Sequence, residues 1–341
     1  MVGFEICIDR CCSDPPAALL WRILCVVVSG VIFPVSQESN RRGIDTGATF
    51  ACLGALVFWS LGPIFIKYLT GYVDSWTQNM LRYGVACVFW LPYLLYCAKT
   101  NRLDHKVWKR AIPPALANIT MQSLWAVAFY YCGPAFMVLL TKTNIVWVAA
   151  FSMFFFPEER ALLRSRRFWF GLALCLAGVF GILYFKTDLG EASTMIGIAI
   201  GLVTAFMWGL YTVSARAAFR NIDSRTGFSV ISLYTVCGLV VLGLLFGDVK
   251  SALQMGLWQW ACVVISGITA IALAHTFYYA AMRRIGATIP ALVILAQPAA
   301  VLAMSYVVFH ESMNLYQALF GVLLLFGAGL AIWAQQHLSR S

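Results

Sequence analysis

The segment GPAFMVLLTKTNIVWVAAFSMFFFPE, residues Gly133–Glu158, recurs later in the chain in a diverged form, GATIPALVILAQPAAVLAMSYVVFHE, residues Gly286–Glu311. Both copies begin with glycine and end with glutamate, and Ser152 of the first copy corresponds to Ser305 of the second. Each copy contains an apolar run that is long enough to cross a hydrocarbon core of about 30 Å as a helix. The pair therefore indicates an internal repeat of membrane-spanning helices.

A second pair of matching positions lies outside these segments. Trp59 aligns with Trp208, and the phrase Phe129–Tyr131 is repeated as Phe277–Tyr279. Chance identities are common among apolar residues, so one match alone would be weak support. Several matches at corresponding helices favour a true duplication of the chain.

The composition is that of a protein dissolved in lipid. Of the 341 residues, 61% are hydrophobic and 11% are charged, whereas an ordinary soluble domain has about 25% charged residues. Mean hydropathy is +0.81. Apolar runs between polar breaks predict ten helices, at 47–69, 75–97, 111–131, 133–156, 166–186, 193–215, 226–247, 255–282, 286–309 and 314–335.

The loops between these helices differ sharply in charge. One set of alternate loops carries most of the Lys and Arg residues: Arg41, Arg42, Lys99, Arg102, Lys106, Lys109, Arg110, Arg160, Arg164, Arg166, Arg167, Arg216, Arg220, Arg225, Arg283, Arg284 and Arg340. The opposite loops hold only Lys186 and Lys250. Because basic loops stay in the cytoplasm, both termini are predicted to be cytoplasmic, in a bacterial-type inner membrane.

Each half of the chain contains five predicted helices. An odd number makes the second half enter the membrane with the opposite polarity, so the repeat is inverted. The predicted fold is therefore an all-α integral membrane protein of ten transmembrane helices, built as two inverted five-helix repeats. The repeats are residues 47–186 and 193–335.

Residues 1–46 form an N-terminal extension before the first repeat. The segment Ala17–Val35 is apolar, but Arg22 interrupts it and no clean cleavage site follows. Three readings stay open: a peripheral segment, an extra helix, or a mis-assigned start of the chain. A signal-peptide core is a further alternative for Ala17–Val35.

Several functional classes are disfavoured. The net charge of +10 is spread over short loops rather than one stripe, so no nucleic-acid partner is expected. The eleven Cys are scattered and odd in number, which is typical of a reduced protein without a metal site. The sequence has no H-E-x-x-H or G-x-S-x-G motif, and no enzyme activity or cofactor is predicted.

The chain resembles the drug/metabolite transporter superfamily, in particular its ten-helix EamA-type branch. The resemblance extends over about residues 47–335. It rests on Phe58-Trp59-Ser60 through Lys67, Arg82, Met207-Trp208-Gly209-Leu210-Tyr211, Gly286 through Glu311, and Tyr316-Gln317-Ala318. One departure is Ile145, which stands where the second half has Pro298. The resemblance implies a transporter that works by alternating access.

Lys142 is the most informative polar residue, because it lies near the middle of the fourth predicted helix. A buried ammonium in a membrane should face a cavity, an anion or backbone carbonyls. It is a candidate ligand for a substrate carboxylate or phosphate. Alternatively, a neutral lysine could bond to the hydroxyls of Thr141 and Thr143. Asn144 and Gln297 are equivalent in the repeat and fit either recognition of a polar ligand or helix-to-helix bonding.

Four further residues complete the candidate substrate site. Arg82 could extend an anion path from Lys142 or snorkel to lipid headgroups. Trp59, Trp208 and Tyr211 are candidate lining residues, although aromatic residues in such a chain often serve packing or the lipid interface. Trp125, Tyr130 and Tyr278 could likewise line the site, or could serve packing or the lipid interface.

Three residues are candidates for coupling or gating. The imidazole of His275 could couple transport to protons, or could be a packing residue. Glu158 and Glu311 end equivalent helices at opposite faces of the membrane, which suggests symmetric capping or gating. A carboxylate at a helix C-terminus opposes the helix dipole, so each needs a local partner.

The predicted function is secondary transport, with export of small zwitterionic or anionic metabolites resembling amino acids. The alternatives are a channel or a translocator of lipids or drugs with the same fold, and, less favoured, an intramembrane enzyme. The expected partners are a small-molecule substrate and membrane lipids. Gly197-x-x-x-Gly201 and the glycines of the last helix permit close packing within the chain or in a homodimer.

Overall fold

The computed structural model describes residues 46–100, 105–156, 164–185, 192–218, 224–285 and 293–340. The chain divides into the segment Met1–Thr46 and the unit Gly47–Ser341. The predicted N-terminal extension, apart from Thr46, lies outside the described residues.

All regular structure in the described ranges is helical, which confirms the predicted all-α class. The helices in chain order are α1 (Thr46–Leu69), α2 (Ser75–Lys99), α3 (His105–Ala128), α4 (Pro134–Thr141), α5 (Asn144–Phe155), α6 (Arg166–Tyr184), α7 (Ala192–Ala218), α8 (Ser224–Phe246), α9 (Val249–Leu253), α10 (Leu257–Ser266), α11 (Ala274–Ile285), α12 (Gln297–Phe309) and α13 (Leu315–Arg340). A π-helix, Gly267–Leu273, joins α10 to α11.

The outer surface of the bundle is apolar, as expected of a protein in lipid. Seven helical segments of the described chain are long and apolar enough to cross a membrane, and two shorter apolar helices accompany them. Large apolar side chains such as Phe154, Phe180 and Leu257 are exposed on the helices. The protein is an integral membrane protein. The count of ten spans stays a prediction.

The fourth predicted helix, 133–156, is not continuous, because α4 ends at Thr141 and α5 begins only at Asn144. The N–H groups of Lys142 and Thr143 bond to carbonyl oxygens three residues back. The hydroxyls of Thr141 and Thr143 also donate to carbonyl oxygens three residues back. Such bonds compete with the regular α-helical pattern and interrupt the helix at this point.

An equivalent interruption precedes α12. Leu295 and Ala296 form a turn, and α12 begins at Gln297. Pro298 follows and cannot donate a backbone hydrogen bond. The repeat aligns this turn with the one between α4 and α5. Within the described ranges, both halves therefore have a turn at the same position of the repeat.

Helix α2 packs in antiparallel fashion against α8, its counterpart in the second half. Near the start of α2, Thr77 contacts Gly247 just beyond the end of α8. Near the end of α2, Cys97 approaches Thr226 at the start of α8. Counterpart helices that meet across two inverted halves run antiparallel, as this pair does.

The pair formed by α6 and α13 is the most closely packed. A Cβ atom on Gly171 would lie 2.7 Å from the carbonyl oxygen of Gly327, and one on Gly327 would lie 2.6 Å from that of Gly171. Gly197 and Gly201 likewise contact residues of their own chain, Cys132 and Met137. Close approach of helix backbones explains these glycines without a second subunit.

The remaining cross-pairs also follow the pseudo-two-fold relation. Trp125 on α3 contacts Trp208 on α7, with ring centroids 6.0 Å apart. In the second cross-pair, Trp59 on α1 contacts Tyr278 on α11, with ring centroids 4.9 Å apart. These aromatic contacts occupy equivalent places because Trp59 and Trp208 are themselves equivalent in the repeat.

Candidate functional site

Lys142 lies in the break between α4 and α5, where it is 9% exposed. Its Nζ donates to Oε1 of Gln297 at 2.8 Å. The hydroxyls of Thr141 and Thr143 donate to backbone carbonyls instead of completing the shell around the ammonium. Lys142 thus meets a neutral amide from the second half of the chain, not a carboxylate.

Gln297 connects this lysine to α1. Its Nε2 donates to the carbonyl oxygen of Trp59 at 3.0 Å. Pro63 lies four residues after Trp59 inside α1 and has no N–H to give that carbonyl. The Gln297 amide supplies the missing donor. The four-residue spacing between Trp59 and Pro63 indicates in the sequence that this carbonyl lacks a helical donor. The partner Gln297 was not recognised from it.

The Trp59 ring extends the contacts to α11. It packs edge-on against the His275 ring, with centroids 5.2 Å apart. The opposite neighbour of His275 is Phe228, which stacks on it at 4.5 Å. His275 Nδ1 donates to the carbonyl oxygen of Ile271 in the π-helix at 2.6 Å. A continuous set of contacts therefore runs from Lys142 through Gln297 and Trp59 to His275.

The other predicted lining residues have contacts of their own. Trp208 packs against Trp125 in the opposite half, and Tyr211 packs against a buried apolar cluster that contains none of the residues around Lys142. Asn144 is half-buried and is not bonded to Gln297, which uses its amide on Lys142 and Trp59. The structure does not join the two equivalent amides.

Arg82 is buried within the bundle and does not snorkel. Its side chain is 3% exposed, and Nε donates to Oγ of Ser266 at the end of α10 at 2.9 Å. The snorkelling alternative is therefore wrong, because the guanidinium reaches a neighbouring helix rather than the lipid headgroups. Ser266 was not recognised from the sequence, since no local pattern links it to Arg82.

The Glu311 carboxylate has hydrogen-bond partners that could not be identified from the sequence. Its carboxylate accepts hydrogen bonds from the backbone N–H groups of Ala135, at 3.0 Å, and Phe136, at 3.3 Å, and from the hydroxyl of Ser305. It also interacts electrostatically with the Lys67 ammonium. Glu311 follows α12 but caps the start of α4, where the helix dipole favours a negative charge. Glu158 lies outside the described residues.

Other contacts tie the helix ends around Glu311, and we call this side of the molecule the Glu311 end. Tyr130 donates its phenol proton to the carbonyl oxygen of Val73, and burial raises the pKa of that phenol. Asp74 caps α2 and accepts a bond from the N–H of Asp248 at 2.9 Å. Asn314 donates to the carbonyl oxygen of Phe185 at 2.7 Å.

The positions of the acidic residues affect which ligands the site around Lys142 can bind. The acidic residues in the described ranges are Asp74, Asp248 and Glu311, all at the Glu311 end. None of them makes a hydrogen bond to Lys142 or Arg82. Groups of three or more metal-ligating side chains do not occur in the described ranges. The site offers hydrogen-bond donors and positive charge.

A family described as EamA-like transporters matches the chain twice, at residues 45–184 and 195–333. An uncharacterized transporter of Clostridium kluyveri is 23% identical over 292 residues, covering 83% of this chain and 91% of the relative. The uncharacterized inner membrane transporter YhbE of Escherichia coli K12 is 24% identical over 153 residues, covering 43% of this chain and 44% of the relative.

A solved structure, described as the crystal structure of a protein, shares the fold. Its TM-score is 0.59 at 19% sequence identity, and the similarity covers 85% of this chain and 98% of that one. At this identity the similarity indicates the fold alone.

Proposed function

Because the chain belongs to the EamA-like transporter family, we propose that this membrane transporter is a secondary exporter of small zwitterionic or anionic metabolites, resembling amino acids. We place it in a bacterial-type inner membrane with both termini in the cytoplasm, on the strength of the Lys and Arg distribution. In that orientation the Glu311 end faces outward.

The contact between Lys142 and Gln297 carries the proposal. A buried ammonium is costly in a membrane unless an opposite charge or several acceptors compensate it. Here the compensating group within the described structure is a single amide oxygen, 2.8 Å away. A substrate carboxylate or phosphate would provide the missing negative charge, so the site favours anionic groups over lipophilic cations.

The position of this contact fits alternating access. Lys142 lies between α4 and α5, and Gln297 begins α12 directly after the equivalent turn. Discontinuous helices at the interface of inverted repeats commonly form transporter substrate sites. The contact joins the two halves, so rocking of one half against the other would break it and form it again.

The bonded Glu311 end fits a state that is closed toward the outside. Glu311, Tyr130 and Asn314 each link different helices there. Export in this mechanism requires these contacts to open once the substrate is bound. The direction of transport rests on the orientation inferred from the loop charges.

A channel and a lipid or drug translocator are the alternatives with this fold. A channel lacks saturation and counterflow, which are properties of a carrier. The family and the names of the relatives point to a transporter rather than an enzyme. The expected homodimer stays a prediction.

The test begins with the substrate. Metabolites in cells and medium, with and without expression, identify compounds that move outward, and each is then assayed by counterflow in proteoliposomes. We expect saturable counterflow of an anionic or zwitterionic compound, and a Lys142→Gln protein with at least about tenfold lower kcat/KM. Exposed Lys250 provides the matched control, because Lys250→Gln removes the same charge from the surface.

Two results would overturn the proposal. Flux without saturation or counterflow would identify a channel. Unchanged kinetics of Lys142→Gln toward an anionic substrate would remove the role of the lysine.

A further inference from the structure

Helix α2 carries a second group of buried donors. Asn79 and Arg82 are one turn apart, so their side chains lie on the same face of the helix. They are 2% and 3% exposed. Arg82 is seven residues from Ser75 at the start of α2, about 10 Å along the helix. Both groups therefore lie well below the membrane surface.

These donors are incompletely paired. Nδ2 of Asn79 is buried and has no acceptor in the described structure. Nε of Arg82 donates to Ser266, but no described residue accepts a hydrogen bond from its two Nη amino groups. Ser266 is neutral and uses its own hydroxyl proton on the carbonyl oxygen of Val263. No carboxylate of the described chain balances the guanidinium.

Tyr83, which follows Arg82 on the same helix, shows a contrasting pattern. Tyr83 bonds to the Asn118 side chain, and Nδ2 of Asn118 donates to Oγ1 of Thr235 at 2.9 Å. These residues link three helices and satisfy one another. Buried polar groups are normally hydrogen-bonded in this way. The unused donors of Asn79 and Arg82 therefore need a separate explanation.

Arg82 and Lys142 lie at a similar depth. Lys142 is eight residues from Pro134 at the start of α4, about 12 Å along the helix. The starts of α2 and α4 are on the same side of the protein, because Tyr130 just before α4 bonds to Val73 just before α2. The two buried cations therefore occupy one layer of the membrane.

We propose that Asn79 and Arg82 form a second oxyanion site, which binds a carboxylate or phosphate group of the substrate. This inference rests on the proposed function and narrows the substrate class to metabolites with two anionic groups. Arg82 presents paired N–H groups that suit a planar carboxylate or a phosphate, and Asn79 Nδ2 adds a donor one turn away. Lys142 binds the other anionic group.

The test measures anion binding directly. The detergent-purified protein is unfolded by heat, with tryptophan fluorescence as the readout, in chloride and then in acetate, succinate or inorganic phosphate at equal ionic strength. A ligand that binds the folded state raises Tm. We expect succinate to raise Tm more than acetate or inorganic phosphate does, because only succinate carries two separate anionic groups.

Two variants report on the new site. In Arg82→Gln, the concentration of the preferred dianion that gives half of the maximal Tm shift should rise at least about tenfold. Asn79→Asp is nearly isosteric and places a carboxylate beside the guanidinium, so it should fold and lose the extra dianion response even if Arg82→Gln does not fold. Lys250→Gln, which alters an exposed charge, should respond as the wild type does.

The outcomes separate the two proposals. A wild-type dianion response in Asn79→Asp, or in folded Arg82→Gln, overturns the second site while leaving the Lys142 site intact. A response that Lys142→Gln retains and the α2 variants lose supports the second site and overturns the role of Lys142. A wild-type protein that responds to none of the anions overturns both.

Discussion

The carboxylate of Glu311 lies 3.0 Å from the backbone nitrogen of Ala135 and accepts its hydrogen bond. The two residues belong to opposite halves of the chain, and the contact joins the end of α12 to the start of α4. A charged group at this position compensates the first free N–H groups of a helix.

Glu311→Gln tests how much the negative charge of Glu311 contributes to the stability of the protein. The amide keeps one acceptor oxygen but loses the negative charge near the α4 N-terminus and Lys67. We expect a loss of about 1 kcal/mol in stability, measured as a lower Tm in detergent. In transport assays the outward-closed state should be less populated. A Tm equal to that of the wild type would show that the contact contributes little.

Gly133→Ala tests the same contact from the other side. A Cβ atom at Gly133 would overlap the Glu311 carboxylate, so the acid must move and the cap weakens. We expect a loss of about 1–3 kcal/mol. Gly84→Ala is the matched control, because a Cβ there meets no atom within 4 Å and alanine favours helix by about 0.5–1 kcal/mol. Equal Tm changes in the two variants would contradict this explanation.

The sequence predicted the helical fold well, because membrane spans require long apolar runs and loop charge follows a simple rule. It also named Lys142 and Gln297 as candidate substrate-binding residues, and the structure brings them into contact. Their mutual hydrogen bond could not be predicted, since the repeat paired Gln297 with Asn144 instead. The partners of Arg82 and Glu311 lie far away in sequence, and contacts of that kind depend on packing between helices rather than on local pattern.

Gln297→Glu tests whether the Lys142 ammonium must be available to substrate. A carboxylate at this position would pair permanently with Lys142, whose Nζ already lies 2.8 Å from the side-chain oxygen. We expect an anionic substrate to show at least about tenfold lower kcat/KM. Gln317→Glu is the control, because it adds the same charge at the start of α13, where a helix tolerates it. Unaltered transport by Gln297→Glu would contradict the assigned role.

His275→Asn distinguishes packing from proton coupling. Asparagine can still donate to Ile271 but lacks the ring that packs on Trp59 and Phe228. We expect a loss of about 1–2 kcal/mol and a pH profile of transport with the wild-type shape. A flattened pH profile in a stably folded variant would instead show that the imidazole titrates during transport.

Gly171→Ala tests the packing of α6 on α13. The added methyl would lie 2.7 Å from the Gly327 carbonyl oxygen, and backbone atoms cannot rotate away as a flexible side chain can. We expect a loss of about 1–3 kcal/mol, seen as a lower Tm. Ala177→Leu adds more volume on an exposed part of α6 and should leave Tm unchanged. A similar decrease in both variants would argue against the close contact as the cause.

The contacts between the two halves have a consequence for how the protein is made. During translation, α2 and α4 enter the membrane before α10 and α12 exist. Until then Arg82 lacks Ser266 and Lys142 lacks Gln297, so the nascent first half holds two cations in the bilayer without their final neighbours. These two cations therefore meet their neighbours only after α10 and α12 have been made.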